Sequence, residues 1–334
     1  MRTPALIAWL LAAVPAGALA QLPAPPGASA PLIPPSPVTR LILLGTQGGP
    51  RVNASRAQPA NLLTVNKVHY LIDAGNGVAR QLSLVGVSPV DVHTIFITHN
   101  HDDHNADWGT LMGLAWTAGA LAPMTVYGPP GTRSMREGYL RYFAPNAAAR
   151  YGEGGSSLAP RKFMRARDIE HAGLVFQDEN VRVTAVENCH YHFAPGMPGY
   201  GWQRSFALRF QTPDRVIVFS GDTGACGEVL ADFATGADIL VHEVIDLGSI
   251  EQRLRSPGPG VEATPEHVAG VLRHMTTEHS SPEEVGRVAA HAGVKLLVLS
   301  HLVGAAGVGD ERYLEGVRKS YPGPVVVGQD LMQF

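Results

Sequence analysis

Thr98-His99-Asn100-His101-Asp102-Asp103-His104 holds five potential metal ligands, three His and two Asp, in its last six residues. It follows the apolar segment Thr94-Ile95-Phe96-Ile97, which predicts a buried strand. Ligands gather in the loops at strand ends of layered α/β folds. His99 and His101 point the same way on an extended segment, whereas Asp103 and His104 turn with the chain towards a second point. Imidazole and carboxylate without thiolate predict a catalytic zinc site rather than a polar surface loop or a chance His-rich tract.

One cluster of this kind cannot complete two metal sites, so further ligands are expected elsewhere. His190, Asp222 and His301 each follow an apolar strand candidate, as His99 does. A polar residue after one strand is often only a turn former or a cap. Because the same placement occurs four times, these three residues are predicted ligands.

The composition describes an ordinary globular chain. It has 334 residues, of which 45% are hydrophobic and 16% are charged, and its formal net charge is −3. This balance predicts one large domain or two small ones. A nucleic-acid partner usually leaves a clustered Lys/Arg stripe, and the sequence contains none. No nucleic-acid partner is therefore expected.

The first residues read as a targeting segment. Arg2, the apolar run Leu6 to Val14 and the small-residue signal Ala18-Leu19-Ala20 predict a secretory signal peptide over residues 1–20. Residues 21–38 are a predicted Pro-rich linker, and residues 39–334 are the predicted hydrolase domain. We therefore expect a periplasmic or secreted protein without a membrane anchor after cleavage. Cys189 and Cys226 are too few for a Cys-based zinc site, and their pairing stays open.

The strand and helix candidates predict a layered sheet protein with helices on the outside. Consecutive strands come first, and strand–helix alternation follows. The clearest helices are Pro265–Met275 and Pro282–Ala292, because Thr264 and Ser281 are N-cap residues followed by proline.

The string His99-x-His101-x-Asp103-His104, with the three downstream ligands, resembles the metallo-β-lactamase superfamily. Within it, Leu44-Gly45-Thr46-x-x-Gly49-Pro50-Arg51 and Ser220-Gly221-Asp222-Thr223-Gly224 are similar to motifs of the ribonuclease Z-like branch. The segments Gly49 to Pro59 and Gly77 to Leu82 look similar to an exported, arylsulfatase-like subgroup of that branch. The resemblance covers roughly Thr39 to Phe334.

This resemblance implies a four-layer αββα sandwich, of class α/β, with two Zn²⁺ or other divalent ions at one edge. It assigns His99, His101 and His190 to the first ion, and Asp103, His104 and His301 to the second. It further implies that Asp222 bridges the two ions and that Asp73 supports the ligand loop. His192 is an alternative to His190.

The candidate catalytic residues are His279, Glu243 and Asp103. The resemblance implies that His279 and Glu243 form a proton-delivery pair beside the ions, although both could be simple structural residues at element ends. Two zinc ions that share a water lower its pKa, and the hydroxide attacks without a protein nucleophile. We therefore predict a zinc-dependent hydrolase that acts on ester bonds.

For the substrate, the arylsulfatase-like resemblance favours a small aryl sulfate ester. Phosphodiesters, including cyclic nucleotides, come second, lactones and β-lactams third, and a non-catalytic metal-binding protein last. Ribonuclease Z enzymes carry a long arm that grips tRNA, whereas residues 146–160 here form only a short loop. We therefore expect a small-molecule substrate, and a homodimer by analogy. Candidates for an aryl pocket, weighed against ordinary core positions, are Trp108, Trp116, Tyr191, Phe193, Tyr200 and Trp202.

Overall fold

Two mixed β-sheets form the centre of the molecule in the computed structural model. The structure describes residues 38–150, 152–226, 228–256, 264–304 and 308–334. The predicted signal peptide and all but the last residue of the predicted linker lie outside the described residues. No helix among the described residues is long and apolar enough to cross a membrane.

The first sheet has six strands in sequential order. Strands β1 to β3 pair antiparallel, and β3 to β6 pair parallel. Their bounds are β1 Thr39–Gly45, β2 Ala60–Val65, β3 Val68–Ile72, β4 Val92–Phe96, β5 Met124–Gly128 and β6 Met164–Asp168.

The second sheet has seven strands, also in sequential order. Strands β7 to β10 pair antiparallel, and β10 to β13 pair parallel. Their bounds are β7 Gly173–Gln177, β8 Arg182–Glu187, β9 Phe206–Gln211, β10 Val216–Phe219, β11 Ile239–Ile245, β12 Leu296–Val303 and β13 Val325–Val327.

Helices connect the parallel strands of both sheets. Those of the first half are α1 Val78–Leu84, α2 Asp102–Asn105, α3 Trp108–Thr117, α4 Thr132–Ala149 and α5 Pro160–Phe163, with a short 3₁₀ helix at Pro89–Asp91. Those of the second half are α6 Val229–Phe233, α7 Leu247–Arg255, α8 Pro265–Glu278, α9 Pro282–Ala292 and α10 Asp310–Arg318.

Alternation along β1 explains the layering. Leu41 and Leu43 point to one face and pack between the two sheets with Phe206 and other residues of the second sheet. The intervening residue Ile42 points to the other face and packs in the core under helices α1 and α3. Successive strand side chains face opposite ways, so a strand apolar on both faces needs a cover on each. The four-layer αββα prediction is confirmed.

Two predicted helices begin where their caps indicate. The Thr264 hydroxyl accepts the His267 N–H, and Ser281 and Glu284 form a reciprocal capping box. Helix α8 continues to Glu278, three residues beyond the predicted end. Helix α7, Leu247–Arg255, was not predicted.

The predicted ligands lie near strand ends of the two sheets, and His190 follows β8, a strand that pairs antiparallel with both neighbours. His99 comes shortly after β4 and Asp222 shortly after β10, as predicted. His301 instead lies inside β12, at a β-bulge: Glu243 pairs with Ser300 and Val244 with Leu302, which leaves His301 unpaired between them. A bulge beside a site redirects one side chain out of the ladder.

Candidate metal centre

The structure brings all seven predicted ligands to one buried cluster. The ligand atoms of His99, His101, His190 and Asp222 lie within 4.8 Å of one another. A second group with the same spacing contains Asp103, His104 and His301. Asp222 connects the groups, because its Oδ1 lies 3.1 Å from His104 Nε2 and its Oδ2 lies 3.0 Å from His301 Nε2. The ligand roles themselves stay predictions.

In the first group, a backbone carbonyl orients the imidazole of His190. His190 Nδ1 lies 2.8 Å from the Glu278 carbonyl oxygen, to which it donates, so Nε2 keeps its lone pair. This Nε2 lies 3.1 Å from His101 Nδ1, and both nitrogens face the same point. His190 is fully buried, whereas the alternative, His192, lies on an exposed loop. The geometry therefore favours His190.

In the second group, Asp73 orients His104. Its Oδ2 lies 2.8 Å from His104 Nδ1, and its Oδ1 accepts the Thr98 backbone N–H at 2.8 Å. Asp73 is itself buried. The carboxylate thus holds the imidazole so that Nε2 faces Asp222 and Asp103. The resemblance implied this support from Asp73. The hydrogen bond from Thr98 was not predicted, because no signal in the sequence indicated it.

Backbone strain is concentrated at the same place. Asp73 has φ 60° and His301 has φ 46°, both in the left-handed region that non-glycine residues rarely adopt. Gly75 has a different constraint: a Cβ there would lie 2.1 Å from the Asp103 carbonyl oxygen. The chain between β3 and α1 therefore approaches the ligand helix α2 as closely as only glycine allows.

Several buried polar atoms of the cluster have no hydrogen-bond partner in the described part of the chain. They are His99 Nε2, His104 Nε2, His301 Nδ1 and Asp222 Oδ1. A buried polar atom left unpaired costs about 1–3 kcal/mol, so four in one cluster need a common explanation. Convergent imidazole and carboxylate lone pairs are what a divalent cation binds. The residues present therefore fit a metal centre.

The electrostatics of the two groups differ. Burial lowers the pKa of His99, His101 and His190, which keeps these imidazoles neutral, as metal ligation requires. Burial also acts on His104 and His301, but Asp222 and its neighbours outweigh it and raise both pKa values. In the second group, the buried carboxylates therefore favour the protonated, positively charged form of these two imidazoles.

His279 and Glu243 form a buried pair beside both groups. His279 Nδ1 lies 3.1 Å from each Glu243 carboxylate oxygen, and Glu243 Oε1 also accepts the Thr223 N–H at 2.8 Å. The His279 ring lies 5.1 Å from His190 and 5.7 Å from His301, measured between centroids. Burial lowers the pKa of His279, but the Glu243 carboxylate overcomes this and the pKa is raised. The pair can therefore hold a proton next to the cluster.

A disulfide joins two ligand loops. Cys189, which precedes His190, is bonded to Cys226, four residues after Asp222. The Gly224 N–H also donates to the Cys189 carbonyl at 3.1 Å. The open question of the pairing is thereby answered, and the bond restrains the two loops against each other.

An arginine-lined cavity beside the cluster had no signal in the sequence. It has a volume of about 510 Å³, and its lining includes Arg51, Arg56, Arg253 and Asp310. It adjoins the cluster through Leu302, the residue after His301. Arg51 and Arg253 lie within 4.0 Å of no carboxylate in the described ranges, and burial together with Arg51 lowers the pKa of Arg253. About 200 residues of sequence separate these side chains, so no local charge cluster indicated them.

Comparison with known proteins gives a family match and full-length relatives. Residues 69–302 match a family model described as "Beta-lactamase superfamily domain". A ribonuclease Z of Mycobacterium bovis is 28% identical over 295 residues, which are 87% of this chain and 96% of the relative. A ribonuclease Z of Mycolicibacterium gilvum is 29% identical over 299 residues, which are 86% and 93% of the two chains.

Solved structures agree on the fold. A metallo-β-lactamase fold protein from Bacillus subtilis has a TM-score of 0.63 at 17% identity, covering 89% of this chain and 98% of its own. The short form of human tRNase Z has a TM-score of 0.60 at 20% identity, covering 88% and 98%. The predictions of family resemblance and of a metal-dependent hydrolase are confirmed.

The predicted substrate is wrong. The relatives of nearly the same length are named ribonuclease Z, which contradicts an aryl sulfate ester, a small-molecule partner and the exclusion of nucleic acid. The physical reason is that a metal cluster of His and Asp ligands can act on different tetrahedral anionic esters. The ligands alone therefore do not determine which ester is the substrate. The choice of an aryl sulfate ester rested on two short segments, Gly49 to Pro59 and Gly77 to Leu82. It also rested on the short loop at residues 146–160, which stands in place of a long arm that grips tRNA. Trp108 and Trp116, two of the aryl-pocket candidates, are buried in the core under the first sheet.

Proposed function

Because this chain belongs to the β-lactamase superfamily, we propose that it is a metal-dependent phosphodiesterase that cleaves RNA. The observation that carries the proposal is the match to ribonuclease Z relatives over 87% of this chain and 96% of the relative, together with the family match over residues 69–302, which contains all seven predicted ligands. The substrate class is a phosphodiester of a nucleic acid. The reaction is hydrolysis, in which water adds at phosphorus and one ester oxygen leaves.

We propose two zinc ions as the metals. When bound, such a pair lowers the pKa of water and neutralises the charge of the transferring oxygens. His99, His101 and His190 would hold one ion, and Asp103, His104 and His301 the other, with Asp222 between them. The mixed imidazole and carboxylate set supports zinc, because catalytic zinc sites use these ligands.

His279 is the proposed proton donor. The oxygen that leaves phosphorus needs a proton, and the imidazole lies beside both His190 and His301. Its Nδ1 is used by Glu243, so Nε2 is the atom available for the leaving oxygen. Glu243 stabilises the protonated ring and fixes its orientation. A donor of this kind contributes roughly 10²–10⁴ in rate.

The arginine-lined cavity supports a polyanionic substrate. Two guanidinium groups without a carboxylate partner in the described ranges, Arg51 and Arg253, provide positive charge in a cavity whose lining includes Leu302, the residue after His301. Phosphate contacts of this kind supply sequence-independent affinity for nucleic acid. Although the net charge of the chain is −3, this cavity offers a polyanion a local region of positive charge.

We also propose that the mature chain acts outside the cytoplasm. The predicted signal peptide supports export, and the Cys189–Cys226 disulfide is a bond typical of oxidising compartments. Cell fractionation tests this: recovery of the full-length, reduced chain from the cytoplasm would contradict it.

The decisive experiment compares substrates on the zinc-loaded protein. We expect cleavage of a structured RNA with a 3′ extension and of bis(4-nitrophenyl) phosphate, and no turnover of 4-nitrophenyl sulfate. His190→Ala should abolish cleavage and lower metal content, while His192→Ala, two residues away on the exposed loop, should leave the metal content unchanged. A zinc-loaded protein that leaves every phosphodiester intact would refute the proposal.

A further inference from the structure

The segment between β8 and β9 carries a concentrated aromatic surface. Residues 191–203, the aromatic loop, leave the cluster at His190 and form no strand or helix. Phe193, Tyr200 and Trp202 are 36%, 53% and 46% exposed, and Met197 is 51% exposed. These are four of the thirteen exposed large hydrophobic residues in the described ranges, and they lie within ten positions. Exposed apolar side chains scattered singly are ordinary, whereas a contiguous group marks an interaction site.

The start of the aromatic loop packs against the metal cluster. The Tyr191 ring lies 4.9 Å from the His190 ring and 5.4 Å from the His101 ring, measured between centroids. Its hydroxyl accepts the Asn100 backbone N–H at 3.3 Å. The Phe193 ring in turn lies 5.1 Å from Tyr191, at an interplanar angle of 34°. A row of rings therefore extends from the buried ligands to the exposed face of Phe193.

The end of the loop is attached to the same place. The Asn100 side-chain amide donates to Gln203 Oε1 and to the Pro130 carbonyl oxygen, at 2.9 Å each. Trp202 lies over Gly131, where an added Cβ would be 3.4 Å from the indole. Asn100 separates the ligands His99 and His101, so one residue connects the ligand motif to both ends of the loop. The aromatic surface is thus positioned relative to the cluster.

We propose that the aromatic loop binds an unpaired nucleobase of the nucleotide next to the scissile phosphodiester, by stacking on Phe193. This inference rests on the proposed function. Every base has a flat π-face, and stacking on an aromatic side chain contributes about 1–3 kcal/mol per base. Unpaired bases are the ones that proteins take up in this way. Continuity with the cluster, through Tyr191, makes a base next to the reacting phosphate the occupant.

The test uses two RNA substrates that differ only at the two nucleotides flanking the cleaved bond. One carries a base at both of these nucleotides, and the other is abasic at both. For Phe193→Ala and Phe193→Leu we expect a KM for the base-bearing RNA that is about 5- to 100-fold higher, with kcat within twofold. For the abasic RNA we expect the unaltered protein to show a KM raised by the same factor. The Phe193 variants should have the same KM for this RNA as the unaltered protein. Phe193→Leu keeps an apolar side chain against Gly199, so loop collapse is separated from loss of the ring.

Tyr142→Ala is the matched control. Tyr142 is an exposed aromatic residue, 72% exposed, on α4 and outside the aromatic loop. It should leave both KM values unchanged. Trp202 gives a binding signal without turnover: single-stranded RNA should quench its fluorescence, and Trp202→Phe should remove the quenching while KM stays within threefold.

The outcomes separate this inference from the proposed function. If no RNA is cleaved, the proposed function fails. If RNA is cleaved but the Phe193 variants raise KM equally for base-bearing and abasic RNA, or not at all, the stacking inference is overturned. A change of oligomeric state in Phe193→Ala on sedimentation, with KM unchanged, would make the loop an interface between copies of the chain and would also overturn it.

Discussion

Replacing Asp73 by Asn tests whether the buried carboxylate sets the protonation of a ligand. Asp73 accepts on both oxygens, from His104 Nδ1 and from the Thr98 N–H, at 2.8 Å each. An amide can accept on only one side. If its NH₂ group faces His104, Nδ1 must become the acceptor, and the imidazole proton moves to Nε2, the atom that faces Asp222. If the amide flips, its NH₂ group meets the Thr98 N–H.

Either arrangement removes a charge-assisted hydrogen bond, which contributes about 1.5–3 kcal/mol. Since 1.4 kcal/mol is about tenfold in a binding constant, one ion should bind roughly 10- to 100-fold more weakly. Asn tolerates the observed φ of 60°, so the substitution does not add the backbone strain that Ala would.

Competition with a chromophoric zinc chelator measures the two affinities. We expect the ion held by His104 to weaken and the ion held by His190 to change little. Asp178→Asn is the control, because Asp178 accepts the Tyr70 hydroxyl at 2.6 Å and contacts none of the predicted ligands. Two affinities within twofold of the unaltered protein would refute the role of Asp73.

Three further predictions follow from the same geometry. Cys189→Ser removes the disulfide to Cys226, which lies 37 residues further along the chain. It should lower the free energy of unfolding by up to about 4 kcal/mol and reduce the metal content. An unchanged melting temperature and metal content would contradict this. Glu243→Gln should lower the raised pKa of His279, so the alkaline limb of kcat against pH, where the donor loses its proton, should move to lower pH; an unmoved limb argues against proton donation. Arg253→Ala should weaken RNA binding and reduce the slope of log K against log salt by roughly 0.7, and an unchanged slope would exclude a phosphate contact.

The parts of the fold and site that could be predicted are those with local signals. The ligand motif lies in six consecutive residues, and β1 is apolar on both faces, which requires layers on each side. The N-caps of α8 and α9 are likewise local. His301 was predicted as a strand-end residue, yet it lies in a bulge, because register between β11 and β12 depends on the partner strand.

The parts that could not be predicted depend on distant contacts. Arg51 and Arg253 meet only because the loop after β1 and helix α7 line the same cavity. Helix α7 itself is short, and its N-cap residue Asp246 makes no side-chain capping hydrogen bond, so no local start signal marked it. The exclusion of a nucleic-acid partner failed for the same reason. The absence of a basic stripe in the sequence was taken as the absence of a basic surface, although folding can assemble one from separate segments.

Charge balance connects the metal centre to the pair beside it. Four carboxylates, Asp73, Asp103, Asp222 and Glu243, are each at most 4% exposed and lie at one edge of the sheets. Buried charge of one sign is too costly to stand alone, so cations or protons must accompany these groups. The two divalent ions proposed above would carry as many positive charges as the carboxylates carry negative ones. His279 would then not need its proton for neutrality, which is why we propose this imidazole as the group that gives a proton up and recovers it in each turnover.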